Sequence, residues 1–434
     1  MIRITRGQRK KRAYSVGIIS LMLIFIMSCM KWLIEGIIDK PIIEVFICLS
    51  VLLFYCVNRG MKIQKISIVW TLYMINIIVS LAIHQSTIGL WGRGAVTVLT
   101  TALILFINEP VEKYSSVIKM ITYTGLINAG LVVIHFITKA VFNQFYISIL
   151  NEKAAATAQL YMRSGYYFGL LYNPHEPAGL IAFAIVSLII WNMITKAHKI
   201  SIYVLCMAML IPILMTGKKA VLICSLIAFA ITILVLYGSR KQFTRSIAFI
   251  FALILLIVLF YNIVIRHPEI DVFNRFGNFF NRLISQESVD SGRILLYQRA
   301  ISEWNDHKIW GIGWRHFNAL TVNKFNMTQS HEVNCDYLQW LCETGIVGFV
   351  LSIIPVVIML FRTMRVTRRQ LRRFGKIYSN KIQWVILMAC YIQFYTLIYA
   401  FVEIPFFDIV FFTIYIISCI VINSTYSRRS VQYE

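Results

Sequence analysis

Of 434 residues, 59% are hydrophobic and the mean hydropathy is +0.72, a composition that excludes an ordinary soluble domain. The polar residues interrupt apolar runs of about 17 to 25 residues, the length an α-helix needs to cross a bilayer, and lipid offers the backbone no other hydrogen-bond partner. The formal net charge of +23 invites a nucleic-acid partner, but its placement argues for membrane topology instead.

Twelve spans are expected in an all-α, polytopic membrane protein: 13–30, 41–57, 66–83, 91–107, 116–138, 178–195, 200–216, 219–237, 246–265, 345–361, 382–402 and 405–423. Nothing shows the roughly 10-residue alternation of an outer-membrane barrel. The first span follows Arg9-Lys10-Lys11-Arg12 and lacks a small-x-small cleavage site before Lys31, so it reads as a retained signal anchor. With the N-terminus inside, more than half of the 42 Lys and Arg fall in cytoplasmic segments, the bias that orients a chain during insertion. The densest run, 362–381, contains no acidic residue. Its plain reading is topogenic; binding of anionic lipid or a cytoplasmic partner is the alternative.

Two exterior segments are long. The first, 139–177, runs through Phe142, Phe145 and Tyr146 to RSGYYFGLLYNPHEP. The second, 266–343, is too rich in Trp, Phe, Tyr and Ile to be disordered, and a long ordered loop is usually functional. It divides the chain into a nine-span bundle (1–265), an exterior loop that carries the chemistry (266–343) and three C-terminal spans (344–434). Phe273, Phe276, Phe280 and Leu283 follow helical spacing opposite Arg275 and Arg282. That suits either a helix in the membrane interface or one packed over the bundle. A second helical pattern runs from Arg293 to about Asp306 and ends at Gly311-Ile312-Gly313, and a third, Ser330 to Cys342, feeds the tenth span at Gly345.

The nine cysteines include no C-x-x-C pair, and seven lie within spans as small apolar residues. Cys335 and Cys342 would sit about 10 Å apart on a helix, too far for a disulfide. His175-Glu176 and His331-Glu332 lack H-E-x-x-H spacing, so neither a metal nor another cofactor is expected. Arg93 and Glu403 fall near span ends and are expected to snorkel or pair rather than carry protons. The exterior loop nearly balances its charge, but six of its basic residues are arginine, whose planar fork grips phosphate bidentately.

Within that loop, SGRILLYQRAISEWNDHKIWGIGWRHFN is followed closely by SHEVNCDYLQWLCETGIVG. Ser291, Gly292, Arg293, Trp304, Gly311, Gly313, Trp314, His331, Tyr337, Leu338, Glu343, Gly345 and Gly348 together resemble the C-terminal region of the O-antigen ligase and polymerase superfamily. Arg163, Gly169, Asn173 and Pro174 resemble a second family segment, and Thr216-Gly217-Lys218-Lys219 sits where the family commonly has a basic residue after a Thr-Gly turn. The resemblance runs from Arg163 into the tenth span. One departure concerns the family's His-Asn-x-Tyr-Leu: alignment on Tyr337-Leu338 puts Asn334 at the histidine position, with His331 one turn earlier.

The resemblance implies a GT-C-like membrane glycosyltransferase, a polysaccharide repeat-unit polymerase in the bacterial cytoplasmic membrane with both termini inside and the large loop outside. Its partners would be polyprenyl-pyrophosphate-linked oligosaccharides as donor and acceptor, membrane lipid, a chain-length regulator and a repeat-unit flippase, with no nucleic acid. Arg163, Arg293, Lys218 and Lys219 are the expected pyrophosphate ligands, with Arg293 and His331 catalytic. Arg293 stabilises charge on the leaving phosphate, and His331 is the general base for a sugar hydroxyl. Glu332 or Asp336 is the rival base, and a structural histidine is the plainer alternative. Trp304, Gly311, Gly313, Trp314, Asn334, Tyr337 and Glu343 are expected to bind glycan or shape the loop; Trp310 also offers a ring. An O-antigen ligase, with lipid A core as acceptor, shares these motifs. A transporter or flippase of lipid-linked sugars would instead place charges within its helices and keep its loops short.

Overall fold

The structure is a computed structural model that describes residues 6–38, 42–59, 63–171, 173–197, 199–237, 293–325, 331–371 and 379–430. The ninth expected span, the amphipathic pattern of 271–285, and Ser291 and Gly292 lie outside the described residues.

The protein is all-α, with no strand among the described residues. The bundle comprises α1 (Arg6–Cys29), α2 (Ile42–Arg59), α3 (Trp70–Ile83), α4 (Ile88–Phe106) and α5 (Ser115–Ile137). It continues with α6 (Lys139–Ile149), α7 (Glu152–Arg163), α8 (His175–Thr195), α9 (Ile200–Met215) and α10 (Lys219–Tyr237). After the exterior loop's α11 (Arg293–Asp306) and α12 (Phe317–Asn323) come α13 (Asp336–Val366), α14 (Asn380–Tyr399) and α15 (Ile409–Ser430). Among the described residues, eight helices are long and apolar enough to cross a membrane. A ninth arises if Val16–Cys29 and Lys31–Ile38, bent by 48°, form one span, while α3 and α9 are shorter. Each expected span that falls on described residues coincides with a helix.

Burial orders these helices. Most side chains of α8, α14 and α15 are buried, and their apolar residues run around the whole circumference, as expected of helices at a bundle centre. The outer helices α2 and α9 leave Phe46, Leu53, Val57, Ile200 and Val204 exposed, the surface lipid would cover. Hydrogen bonds lock neighbours together: Asn76 to Ser352 at 2.8 Å, Thr122 with Ser187 at 2.7 Å, Thr363 to Gln393 at 2.6 Å. Where lipid offers no competing water, such bonds contribute about 1 kcal/mol each.

Segment 139–177 is more ordered than its sequence pattern suggested. It folds as α6 and α7, which enclose a small core of Tyr146, Leu150, Ala154, Ala158, Met162 and Phe168. Asn151 caps α7 by accepting from the Ala154 amide at 3.0 Å, and its own amide donates to Glu35 O at 2.6 Å. The α5–α8 connection is thereby tied to the bent segment after α1. Contacts of this kind bring the connections after α1, α3, α5, α9 and α14, together with the exterior loop, to one end of the bundle.

Candidate functional site

The site's frame is a backbone-to-backbone junction. Gly311 (φ +69°) and Gly345 (φ +63°) both occupy the left-handed region, and Gly345 breaks α13 between Thr344 and Ile346. A Cβ on Gly311 would lie 2.4 Å from the Glu343 carbonyl, and one on Gly345 would lie 2.2 Å from Ile309 O. Only glycine permits this approach. Through it Ile312 N–H donates to Cys342 O at 3.1 Å and Gly313 N–H to Glu343 O at 2.8 Å. On the other side of the break, Ile346 N–H donates to Lys308 O at 2.9 Å. The buried Glu343 side chain completes the junction, accepting from Arg315 N–H at 2.7 Å and Phe317 N–H at 3.3 Å. The turn is thus stitched to the start of α13, and α11, whose first residue is Arg293, packs on α13.

Arg293 meets its partners on the connection between α14 and α15. Its Nη2 lies 2.9 Å from Glu403 Oε1, and Lys218 Nζ, from the Thr-Gly turn between α9 and α10, lies 3.5 Å from the same oxygen. Burial alone would raise the Glu403 pKa, but Lys218, His175 and Arg293 together hold its carboxyl below the usual range. Burial likewise works against the Lys218 ammonium, and Glu403 with Tyr161 and Tyr166 over-compensates, keeping it above the ordinary lysine value. Two cations facing one carboxylate leave a net positive charge, an arrangement suited to receiving an anion.

A second charged group adjoins the first. His175 opens α8 directly after Asn173-Pro174, and its Nε2 is 3.1 Å from Asp408 Oδ2. The Asp408 Oδ1 accepts the amides of Val410 and Phe411 at 2.9 and 3.1 Å, capping α15. Lys31, at the bend after α1, places its ammonium 3.3 Å from Glu176 and 3.8 Å from Asp408. His175, Glu176 and Asp408 bring ligand-type atoms within 4.8 Å of one another, and the cation that meets their charge is Lys31. The Asp408 carboxyl is buried, yet Lys31 and His175 hold it far below its usual range.

Of the sequence-derived residues, Arg293 and Lys218 therefore share a partner, Glu403. Arg163 ends α7 and is exposed, while Lys219 is the half-buried first residue of α10. His331 is half-exposed, its amide donating to Thr321 Oγ1 at 3.0 Å. Asn334 adopts φ +59°, which keeps 331–335 out of the helix, so the expected third loop helix starts at Asp336. Its carbonyl accepts from the Tyr297 hydroxyl at 3.1 Å. Trp314 is 1% exposed and stacks on Phe407 at 5.9 Å, a packing position rather than an open sugar platform. Tyr337 donates to Leu397 O at 2.9 Å, Trp304 is half-buried, and Trp310 is 48% exposed. The rival bases are engaged: Glu332 takes Asn318 and Gln339 amides at 2.8 and 2.6 Å, and Asp336 accepts from Phe406 N–H at 3.0 Å.

Sequence reasoning did not single out Lys31, Asp408 or Arg315. Arg315 reaches the Phe407 carbonyl and lies 3.8 Å from Glu332. Glu403 and Arg93 do pair as expected, Arg93 with Glu35 at 3.9 Å. The available signal for Glu403 and Asp408 was two acids in the short break between strongly apolar runs, where charge is costly unless it is used.

A bundle of apolar helices with a charged cluster built from several connections at one end is that of a polytopic membrane protein. Residues 203–353 match the family described as O-antigen ligase. Over that stretch, less than half of the chain, the protein is similar to the O-antigen ligase and polymerase superfamily, whose members are glycosyltransferase-like enzymes. The matched stretch includes Lys218, Arg293, His331 and the glycine junction, whereas Arg163, His175, Glu403 and Asp408 lie outside it. None of the curated proteins compared matches the chain.

Proposed function

We propose that the protein is a polymerase that joins polyprenyl-pyrophosphate-linked oligosaccharide repeat units into O-antigen, capsular or exopolysaccharide chains at the outer face of the cytoplasmic membrane. The observation that carries this reading is the convergence of Lys218 and Arg293 on Glu403, at 3.5 and 2.9 Å. When a glycan leaves a lipid pyrophosphate, negative charge builds on phosphate oxygens, and fixed cations lower the barrier by meeting it. A pyrophosphate carries more charge than one carboxylate and competes with Glu403 for both cations. Arg163 and Lys219 are the further pyrophosphate ligands that the resemblance suggests. The resemblance suggests His331 as the base for the acceptor hydroxyl, and His175 is the rival that the fold offers. A chain-length regulator and a repeat-unit flippase are the expected partners.

The test uses the purified protein in liposomes, supplied with lipid-linked repeat units isolated from cells lacking it. The wild type should produce a ladder of chain lengths, while Arg293→Ala and Lys218→Ala leave single repeats. A second reading, transfer to lipid A core, is favoured by the description of the matched family. In cells, free polymer of normal length that never reaches lipid A core in the variants would support the ligase and overturn the polymerase. Repeats retained on the cytoplasmic face would overturn both in favour of a flippase.

A further inference from the structure

We infer that His175, oriented by Asp408, takes the proton of the acceptor hydroxyl, an assignment that rests on the proposed transfer from a lipid pyrophosphate.

Three features carry it. First, a carboxylate that binds one imidazole nitrogen fixes the tautomer and stabilises the imidazolium formed when the ring takes a proton. Asp408 does this at 3.1 Å, and its second oxygen is anchored by two α15 amides, so the pair is rigid. The ring is held from its face by Phe411, stacked at 5.6 Å. Second, the pair adjoins the proposed phosphate cations through one short connection, because Asp408 and Glu403 both lie between α14 and α15 and Glu403 meets Arg293 and Lys218. Third, the nearby alternatives are poor bases. Glu403 is bound to two cations, and Glu343 and Asp336 serve backbone amides. His84, His135 and His316 have both ring nitrogens engaged. The groups facing His175 are Asp408 and Glu403 from the α14–α15 connection, Glu176 from α8 and Lys31 from the bend after α1. Lys218 and Arg293 stand behind Glu403.

In the step, the acceptor oxygen bonds to the donor's anomeric carbon and that carbon's bond to the phosphate oxygen breaks. The electron pair leaves on the pyrophosphate, toward Arg293 and Lys218. The hydroxyl proton passes to His175 and then to solvent.

Asp408→Asn is the informative variant. Its carbonyl oxygen can still cap α15 while its amide donates to His175, reversing the tautomer without removing the ring. Liposome-reconstituted Asp408→Asn and His175→Gln should bind polyprenyl pyrophosphate like wild type and melt within a few degrees of it. Both should transfer about 10²- to 10⁴-fold more slowly, the usual contribution of a general base. His175→Gln should also lose the limb of the pH–rate profile in which rate rises with pH. If His175→Gln keeps its rate and that limb while Arg293→Ala loses donor binding and transfer, the inference is overturned and the proposed reaction stands. Loss of the limb in His331→Ala but not in His175→Gln also overturns it. If the wild type neither binds the donor nor extends glycan, the reading of the reaction itself fails.

Discussion

Glu403 sits between two cations, 7% exposed in its side chain, and what happens when it is changed follows from electrostatics. Glu403→Gln leaves Lys218 and Arg293 facing each other without a counter-charge. Breaking such a buried group costs about 3 kcal/mol, at the low end because Arg293 is 29% exposed and water screens it. A fall in thermal midpoint should report the loss, and in the Arg293→Ala background the same change should cost less, as a double-mutant cycle would show. The pH dependence has a defined sign. Glu403's folded pKa is depressed, so its contribution is present above about pH 4.5 and is lost as pH falls through the folded value. Lys218's is raised, so its contribution is present below about pH 10.5 and is lost as pH rises through the folded value. Stability from this cluster should be flat between these limits in a melting series. For the reaction, Arg293→Lys keeps the charge but loses the fork, and polymer synthesis should fall about 10²-fold or more.

At the level of elements, the junction between the 308–317 turn and the α13 break determines where Arg293 stands. Gly345→Ala would require a non-glycine residue at φ +63° with its Cβ 2.2 Å from Ile309 O. A positive φ costs an alanine about 1–2 kcal/mol before the clash is counted. The expected outcome is faster amide exchange across 308–316 together with lost activity, while the rest of the bundle exchanges as before. Exchange unchanged in that window would show that the junction relaxes freely. Glu343→Ala leaves the Arg315 and Phe317 amides without their acceptor, a loss of about 1–3 kcal/mol. Its effect should appear in the same window.

For the whole molecule, orientation is the property that decides which face the charged end serves. In the proposed orientation, argued from arginine and lysine density, 362–381 is cytoplasmic and the large loop is outside. A cysteine at position 323 should therefore react with an impermeant maleimide in intact cells, and one at position 381 only after permeabilisation. The reverse pattern would put the proposed chemistry on the wrong face for an externally assembled polymer.

Much of this was legible in the chain itself. Apolar run length determined the helices because lipid permits few alternatives, and the family resemblance carried by the S-G-R and G-x-G patterns marked Arg293 and the glycine turn. The Thr-Gly-Lys turn marked Lys218 in the same way. What those residues touch was not legible. Arg293 and Glu403 are 110 positions apart, and His175 and Asp408 are 233 apart. Nothing local to Lys31, His175 or Asp408 announces a partner, since an acid or a base at a helix end is more often a solvated or snorkelling charge. Only packing brings α1, α8, α10, α11 and the α14–α15 connection to one end, and a buried charge must then find its counter-charge there. The sequence by itself thus determined that this is a helical membrane protein with a long polar loop rich in arginine. The tertiary structure decided that the loop's arginine works against an acid from a distant connection, because desolvated ion pairs form between whatever charges the fold brings together.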